Sequence, residues 1–312
     1  MTDFGVLDEN FLKSKDRALQ LLDVMERERR FFSFAIFSSA ETLAALGELD
    51  LLVRLGVTFV WIGVESKREI YQKNRGVDFH HLVRELRKRG VAVMASAILF
   101  LEEHDKKTIW DDIEYASSLN ADYLQFMQLG PVPGTALYEQ YQAAGKLLTD
   151  VPHRAQHGQG MIWFRHEHFT PEESRDYLKQ AFVHDYRRNG PSLTRAVWTA
   201  LQGYEYCLTH ADPLIRRRAP SFRNTLNLMR CFLDGLRVHG GNDAANALLA
   251  EVRAAYDRLL GRKSLKTRLL SLLVVLMSIK EYLRITCLSD VRQPKTLYQK
   301  PTRLGHIVGA GR

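Results

Sequence analysis

Apolar and polar positions alternate in blocks along the first 150 residues, and the blocks change period. Short runs rich in β-branched and aromatic residues read as strands: Phe4 to Leu7, Phe31 to Phe37 (FFSFAIF), Thr58 to Ser66 (TFVWIGVES), Val91 to Leu101 (VAVMASAILFL) and Ala121 to Leu129 (ADYLQFMQL). Between them lie stretches of helical period. These are Leu12 to about Arg30, Ala40 to Gly56 with leucines at 43, 46, 49, 52 and 55, His80 to Lys88 closed by Gly90, and Lys107 to Leu119. The strand from Thr58 is apolar enough to be buried on both faces. Strands separated by helices of this length predict right-handed crossovers and a parallel sheet, curved into a partial (β/α) barrel of five strands.

Polar residues gather where these strands end. Asp8, Glu9 and Asn10 follow the first, Ser38 and Ser39 the second, and Glu65 and Ser66 the third. The fifth carries Gln125 and Gln128 and runs into Pro131-Val132-Pro133-Gly134-Thr135. In parallel α/β architectures ligands bind at the carboxyl ends of strands, so one shared rim predicts a small-molecule site. Each residue singly has an ordinary alternative. Ser39 and the acids could cap helices, and Glu65 could pair with a nearby Arg or Lys.

Beyond residue 150 the strand signals fade and an all-helical C-terminal region is expected over 151–289. Thr170-Pro171-Glu172-Glu173 predicts a capping box opening a helix to about Arg188. Further helices are expected over Ser192 to Tyr206, Asp212 to about Gly235, Asn242 to Leu260 and Leu265 to Leu288. The apolar core of the last, Leu269 to Ile279, is 11 residues, short of the ~20 needed to span a bilayer. With Arg262, Lys263, Lys266 and Arg268 before it, this helix suits either docking on the helical region, which the pattern favours, or peripheral membrane contact through 262–288.

Charge sharpens this division. The chain has 312 residues and a net charge of +8, but residues 261–312 hold 11 Lys or Arg against 2 Asp or Glu, so the rest is nearly neutral. A basic, flexible tail is expected over 290–312. The tail lacks interleaved aromatic stacking residues, which argues against nucleic acid. Cys207, Cys231 and Cys287 are too far apart for a metal motif and odd in number, so a reducing, cytoplasmic setting and buried thiols are expected. His166-Glu167-His168 reads as a solvated or packed pair, no third ligand standing at a telling distance. Arg216-Arg217-Arg218 reads as a solvated helix face.

The order DENF, IGVES, a glycine-bounded strand carrying Ser96, then LQFMQLGPVPGT, LYEQY and Gly145-Lys146-Leu147, resembles the catalytic barrel of radical SAM enzymes. The branch it is most similar to often carries an N-terminal cobalamin-binding domain. The resemblance implies a six-stranded arc in which three cysteines of CxxxCxxC hold a 4Fe-4S cluster that binds S-adenosylmethionine (SAM). By position it implies that Asp8, Glu9 and Asn10 lie near the methionyl amino group, with Ser39 on the next strand end. It implies Glu65 at the ribose or methionyl part, Ser96 on the following strand, and Gln125, Gln128 and Pro133 near the adenine.

This chain opens at what would be the family's second strand, and CxxxCxxC is absent. The expectation is therefore five of six strands, an N-terminally truncated or misplaced start, and the SAM- and substrate-binding portion of a longer enzyme, inactive alone. Catalytic residues are not assigned. The implied chemistry is SAM radical chemistry, with cobalamin-dependent methylation or ring modification open. The implied substrate is a small molecule, lipid-like or tetrapyrrole-like. The alternative is a degenerate, non-catalytic barrel serving as a binding or assembly subunit.

Overall fold

The computed structural model describes residues 3–67, 74–239 and 241–288. Five parallel strands form one sheet in chain order: β1 (Asp3–Gly5), β2 (Ser33–Phe37), β3 (Val57–Glu65), β4 (Ala92–Leu99) and β5 (Tyr123–Gln128). The crossovers carry α1 (Lys15–Arg27), α2 (Ala40–Ala45) with α3 (Asp50–Leu55), α4 (Phe79–Lys88) and α5 (Thr108–Ser118). Strictly sequential parallel pairing with a helix in each crossover is the geometry of a (β/α) half-barrel, as expected.

Within the arc, one helix and one strand differ from the sequence expectation. The single helix expected from Ala40 to Gly56 is two, because Gly47 takes a left-handed φ of 72° and turns the chain between them. The strand expected to be buried on both faces is buried on one. Ile36, Val60, Ile62, Val93, Ala95 and Phe126 are covered in the core of the sheet layer, while Phe37, Trp61, Met94, Ser96 and Gln125 on the alternate positions are only half-buried. A five-stranded arc packs its outer face and leaves its inner face open.

After β5 come α6 (Ala136–Ala143) and α7 (Pro171–Asn189), the latter opened by the expected capping box between Thr170 and Glu173. Ile162, Phe164, Leu178 and Ala181 belong to the core of the sheet layer. A second core, including Val197, Leu201, Phe222, Leu226, Leu249 and Tyr256, joins α8 (Ser192–Thr209), α9 (Pro213–Arg216), α10 (Ala219–Met229), α11 (Leu233–His239) and α12 (Asp243–Leu260). The helix expected over Asp212 to Gly235 is thus broken, with Pro213 and Pro220 each opening a fresh segment. The last helix, α13 (Leu265–Leu288), falls where the apolar pattern places it. No described helix is long and apolar enough to cross a membrane. The tail expected over 290–312 lies outside the described residues.

The helical region meets the arc through close backbone approach and buried polar ties. A Cβ at Gly203 of α8 would stand 2.4 Å from the Cα of Gly90. Asp122, fully buried before β5, accepts from Val93 N (2.8 Å), Arg87 Nε (3.2 Å) and Thr199 Oγ1 of α8 (2.6 Å). Asp50 accepts from Arg89 Nε (2.7 Å) within the arc and from Tyr206 Oη (2.6 Å) across it. Arg218, expected to be solvated, is instead buried, and one guanidinium nitrogen donates to the Phe32 carbonyl. Its burial lowers its pKa to about 10.

Candidate functional site at the carboxyl ends of the strands

The first two strand ends are tied to each other. Asn10 Nδ2 donates to Ser39 Oγ (3.2 Å) and Thr42 Oγ1 (3.0 Å), and its Oδ1 accepts from Ser38 Oγ (3.1 Å) and Ser39 N (3.3 Å). Ser39 also caps α2 by accepting from Thr42 N. Asp8 accepts from Asn10 N (3.0 Å) and pairs with Arg17 (2.7 Å), which together hold its pKa below the ordinary value. Glu9 is exposed. These residues build a rim whose hydrogen bonds are largely internal, although Asn10, Ser39, Glu41 and Thr42 line a shallow hollow.

Glu65 stands apart from them in conformation. It closes β3 with a left-handed φ of 63°, where the register against β4 slips between Gly63 and Glu65, and it is 9% exposed. A non-glycine residue in this region costs about 1–2 kcal/mol, so its surroundings must enforce it. They do so from both sides. Asn74 Nδ2 donates to the carbonyls of Gly63 (3.2 Å) and Val64 (2.9 Å), and Asp112 Oδ1 accepts from Lys67 N (2.9 Å).

Asp112 is itself buried against His104, whose Nε2 donates to Oδ2 at 3.0 Å while Nδ1 accepts from Leu101 N. Burial alone would raise the Asp112 pKa, but hydrogen bonds from His104, Ser66 and Lys67 outweigh it and the net direction is down. Asn74, His104 and Asp112 leave no local signal in the sequence, because their roles depend on partners 8 to 45 positions away.

The half-buried inner face of the sheet carries a polar row of its own. Gly63, Ser96 and Gln125 share one row by register, and Ser96 Oγ donates to Gln125 Oε1 at 3.2 Å. The row beneath holds Phe37, Trp61, Met94 and Tyr123, with Phe37 stacked on Trp61 at 5.0 Å. Flat aromatic walls below polar hydrogen-bonding groups suit a ligand with an aromatic base and a polar tail.

Gln128 is not brought to this face. Three positions from Gln125 means the opposite side of a strand. Its Nε2 donates to Gly160 O (3.3 Å) and Ser174 Oγ of α7 (3.4 Å) in a buried setting. Pro133 is exposed and lines a separate hollow with Tyr138 and Trp163. The structure therefore joins Asn10 with Ser39 and Ser96 with Gln125, and sets Gln128 and Pro133 apart.

The thiols lie far along the chain from this rim. Cys207 is in α8 and Cys231 in the turn before α11, both buried, while Cys287 on α13 is exposed, against the expectation of three buried thiols. Burial raises the Cys207 pKa to about 12, so that thiol is held protonated. No group of three or more His, Cys, Asp or Glu among the described residues could hold a metal ion. A 4Fe-4S cluster requires several thiolates converging on one point, and these three cysteines do not fit it. His166 packs between Phe164 and Phe169 and its Nε2 donates to the Leu101 carbonyl (2.9 Å).

No family model matches the chain. In sequence it is 26% identical over 187 residues to an uncharacterized methyltransferase of Pyrococcus horikoshii, a match covering 58% of this chain and 40% of that protein. The parallel half-barrel expected from the sequence is present, and the sequence likeness is to a protein described as a methyltransferase. Among solved structures the chain is loosely similar to the radical S-adenosylmethionine methyltransferase TsrM from Kitasatospora setae with cobalamin and a 4Fe-4S cluster bound, at TM-score 0.44 and 16% identity, over 73% of this chain and 52% of that one. The same protein with tryptophan substrate and a SAM analogue bound gives 0.42 and 17%, over 71% and 52%. The chain thus spans about half or less of the length of these relatives.

Proposed function

We propose that this chain supplies the SAM- and substrate-binding wall of a methylation-type enzyme related to the radical SAM superfamily. The observation that carries the reading is Glu65, a nearly buried carboxylate held in a strained conformation at the mouth of the arc. Strain of this kind persists where the surroundings over-determine it and concentrates at ligand sites. A carboxylate there can accept from both hydroxyls of a ribose, and Ser96 and Gln125 can serve the neighbouring polar atoms. Phe37 and Trp61 offer a stacking surface for the adenine or for an aromatic substrate. Asn10 and Ser39 are assigned to shaping the rim toward the methionyl end. Gln128 and Pro133 are assigned to supporting the wall rather than to direct contact.

A cluster, where present, supplies the electron that cleaves SAM. Since Cys207, Cys231 and Cys287 do not fit it, no step is assigned to them, and no residue here is assigned to cobalamin. A second reading has its own support: α13 exposes Leu269, Leu272, Leu273, Leu276 and Met277, a surface suited to assembly with another protein. In that reading the arc binds without catalysing.

Calorimetric titration of the full chain with SAM, without iron, tests the main reading. Micromolar binding weakened roughly tenfold by Glu65→Gln supports it, on the scale of one charge-assisted hydrogen bond. Binding that is absent, or indifferent to Glu65→Gln, removes it in favour of the assembly reading.

A further inference from the structure

A second site lies in the helical region, outside the arc. Where α11 and α12 meet the start of α13, a hollow of about 420 Å³ is walled by six cationic side chains and two carboxylates, a surplus of four positive charges. Half of the cations are already engaged. Arg253 and Lys263 each reach Asp234 at 2.6 Å, and Arg230 reaches Asp257 at 2.7 Å. The other three, Arg237, Arg262 and Arg268, have no carboxylate partner among the described residues, and all are exposed.

Arg230 is the telling member. Only 5% exposed, it is fixed by Asp257, by the Gly261 carbonyl (2.6 Å) and by the ring of Tyr256 beneath its guanidinium (5.1 Å). Its Nε is nevertheless buried with no hydrogen-bond partner. A buried guanidinium N–H without an acceptor is costly, and so is a crowd of like charges around one hollow. The second cost is relieved by one occupant: a compact, multiply charged anion whose oxygens match guanidinium forks.

We propose that this hollow binds a phosphate monoester or diphosphate group. Asp234 and Asp257 orient three of the cations, leaving the unpaired arginines to close on the anion. A monovalent carboxylate would satisfy too little of the excess charge. The same chemistry is offered by a soluble phosphorylated compound and by the headgroup of a phosphate-monoester lipid, and the test separates them.

The full chain is titrated with pyrophosphate at constant ionic strength, and separately sedimented with vesicles of phosphatidylcholine containing phosphatidic acid or, at equal charge, phosphatidylserine. The exposed pair Arg262→Ala and Arg268→Ala is compared with Lys280→Ala, a cation of α13 away from the hollow. Pyrophosphate binding that the double variant weakens at least tenfold, with Lys280→Ala unchanged, supports the site with a soluble ligand. Sedimentation with phosphatidic acid but not phosphatidylserine, lost in the double variant, supports it with a lipid ligand. Binding in neither arm, or equal losses in the double variant and Lys280→Ala, overturns it. So does equal sedimentation with both acidic lipids, since general surface charge then explains the attraction.

Discussion

The carboxylate of Asp112 holds two distant pieces of chain at once: His104 at 3.0 Å and the backbone N–H of Lys67, two residues past Glu65, at 2.9 Å. A buried side chain on α5 thereby fixes the conformation of the strand end that the function is assigned to. Truncation to Asp112→Ala leaves a buried imidazole and a backbone donor unpaired. It should cost about 3 kcal/mol in denaturant unfolding and weaken SAM binding although the residue touches no ligand.

Acid should loosen the molecule for a related reason. Burial would raise the pKa of Asp50, but hydrogen bonds from Tyr206 and Arg89 outweigh it, and the result is a value below the ordinary one, as for Asp112. A carboxylate with a depressed folded-state pKa contributes stability above its unfolded value near 4, and that contribution is lost as pH falls. Melting temperature is expected to drop as pH falls below about 5, with Asp50→Asn reducing the slope there. An unchanged slope in that variant would show that Tyr206 and Arg89 do not hold the Asp50 pKa below its ordinary value.

Two glycines carry the packing of those layers. At Gly56, φ is 91° and a Cβ would stand 2.2 Å from the Phe32 carbonyl; at Gly203 it would stand 2.4 Å from the Gly90 backbone. Gly203→Ala is expected to destabilise by about 2–3 kcal/mol, the cost of overpacking a tight contact, and Gly56→Ala by more, because conformational strain adds to the clash. Thermal unfolding of both variants checks the order.

The half-barrel was legible because its signal is periodic: runs such as VAVMASAIL between amphipathic helices could pack in few other ways. The strand-end polar residues were legible too, since position alone marks them. Pointing direction was not. Gln125 and Gln128 look alike in sequence, yet period two sends one to the open face and the other under α7. The break at Gly47 was hidden by leucines spaced every three residues, which continue through it. The ties that hold Glu65, through Asn74 and Asp112, are tertiary and leave no local pattern.

The open face predicts a separation of binding from stability. Gln125 is half-buried and pairs only with Ser96 among its side-chain contacts described. Gln125→Ala should change unfolding free energy by less than about 1 kcal/mol while weakening SAM roughly fivefold. Equal SAM affinity in the variant would move the ligand off this row.

The apolar surface of α13 predicts association. Leu272→Glu with Leu276→Glu, both exposed, should leave melting temperature nearly unchanged and reduce self-association or detergent binding in light scattering.

The central claim is that one small molecule lies against Glu65 and the Ser96–Gln125 row. A crystal structure of the chain soaked with SAM tests it most directly. The account predicts density on the inner face of the arc, with ribose or methionyl oxygens or nitrogens within hydrogen-bond reach of Glu65 and a polar atom beside Gln125. SAM density in another hollow, with the inner face holding only solvent, would contradict it.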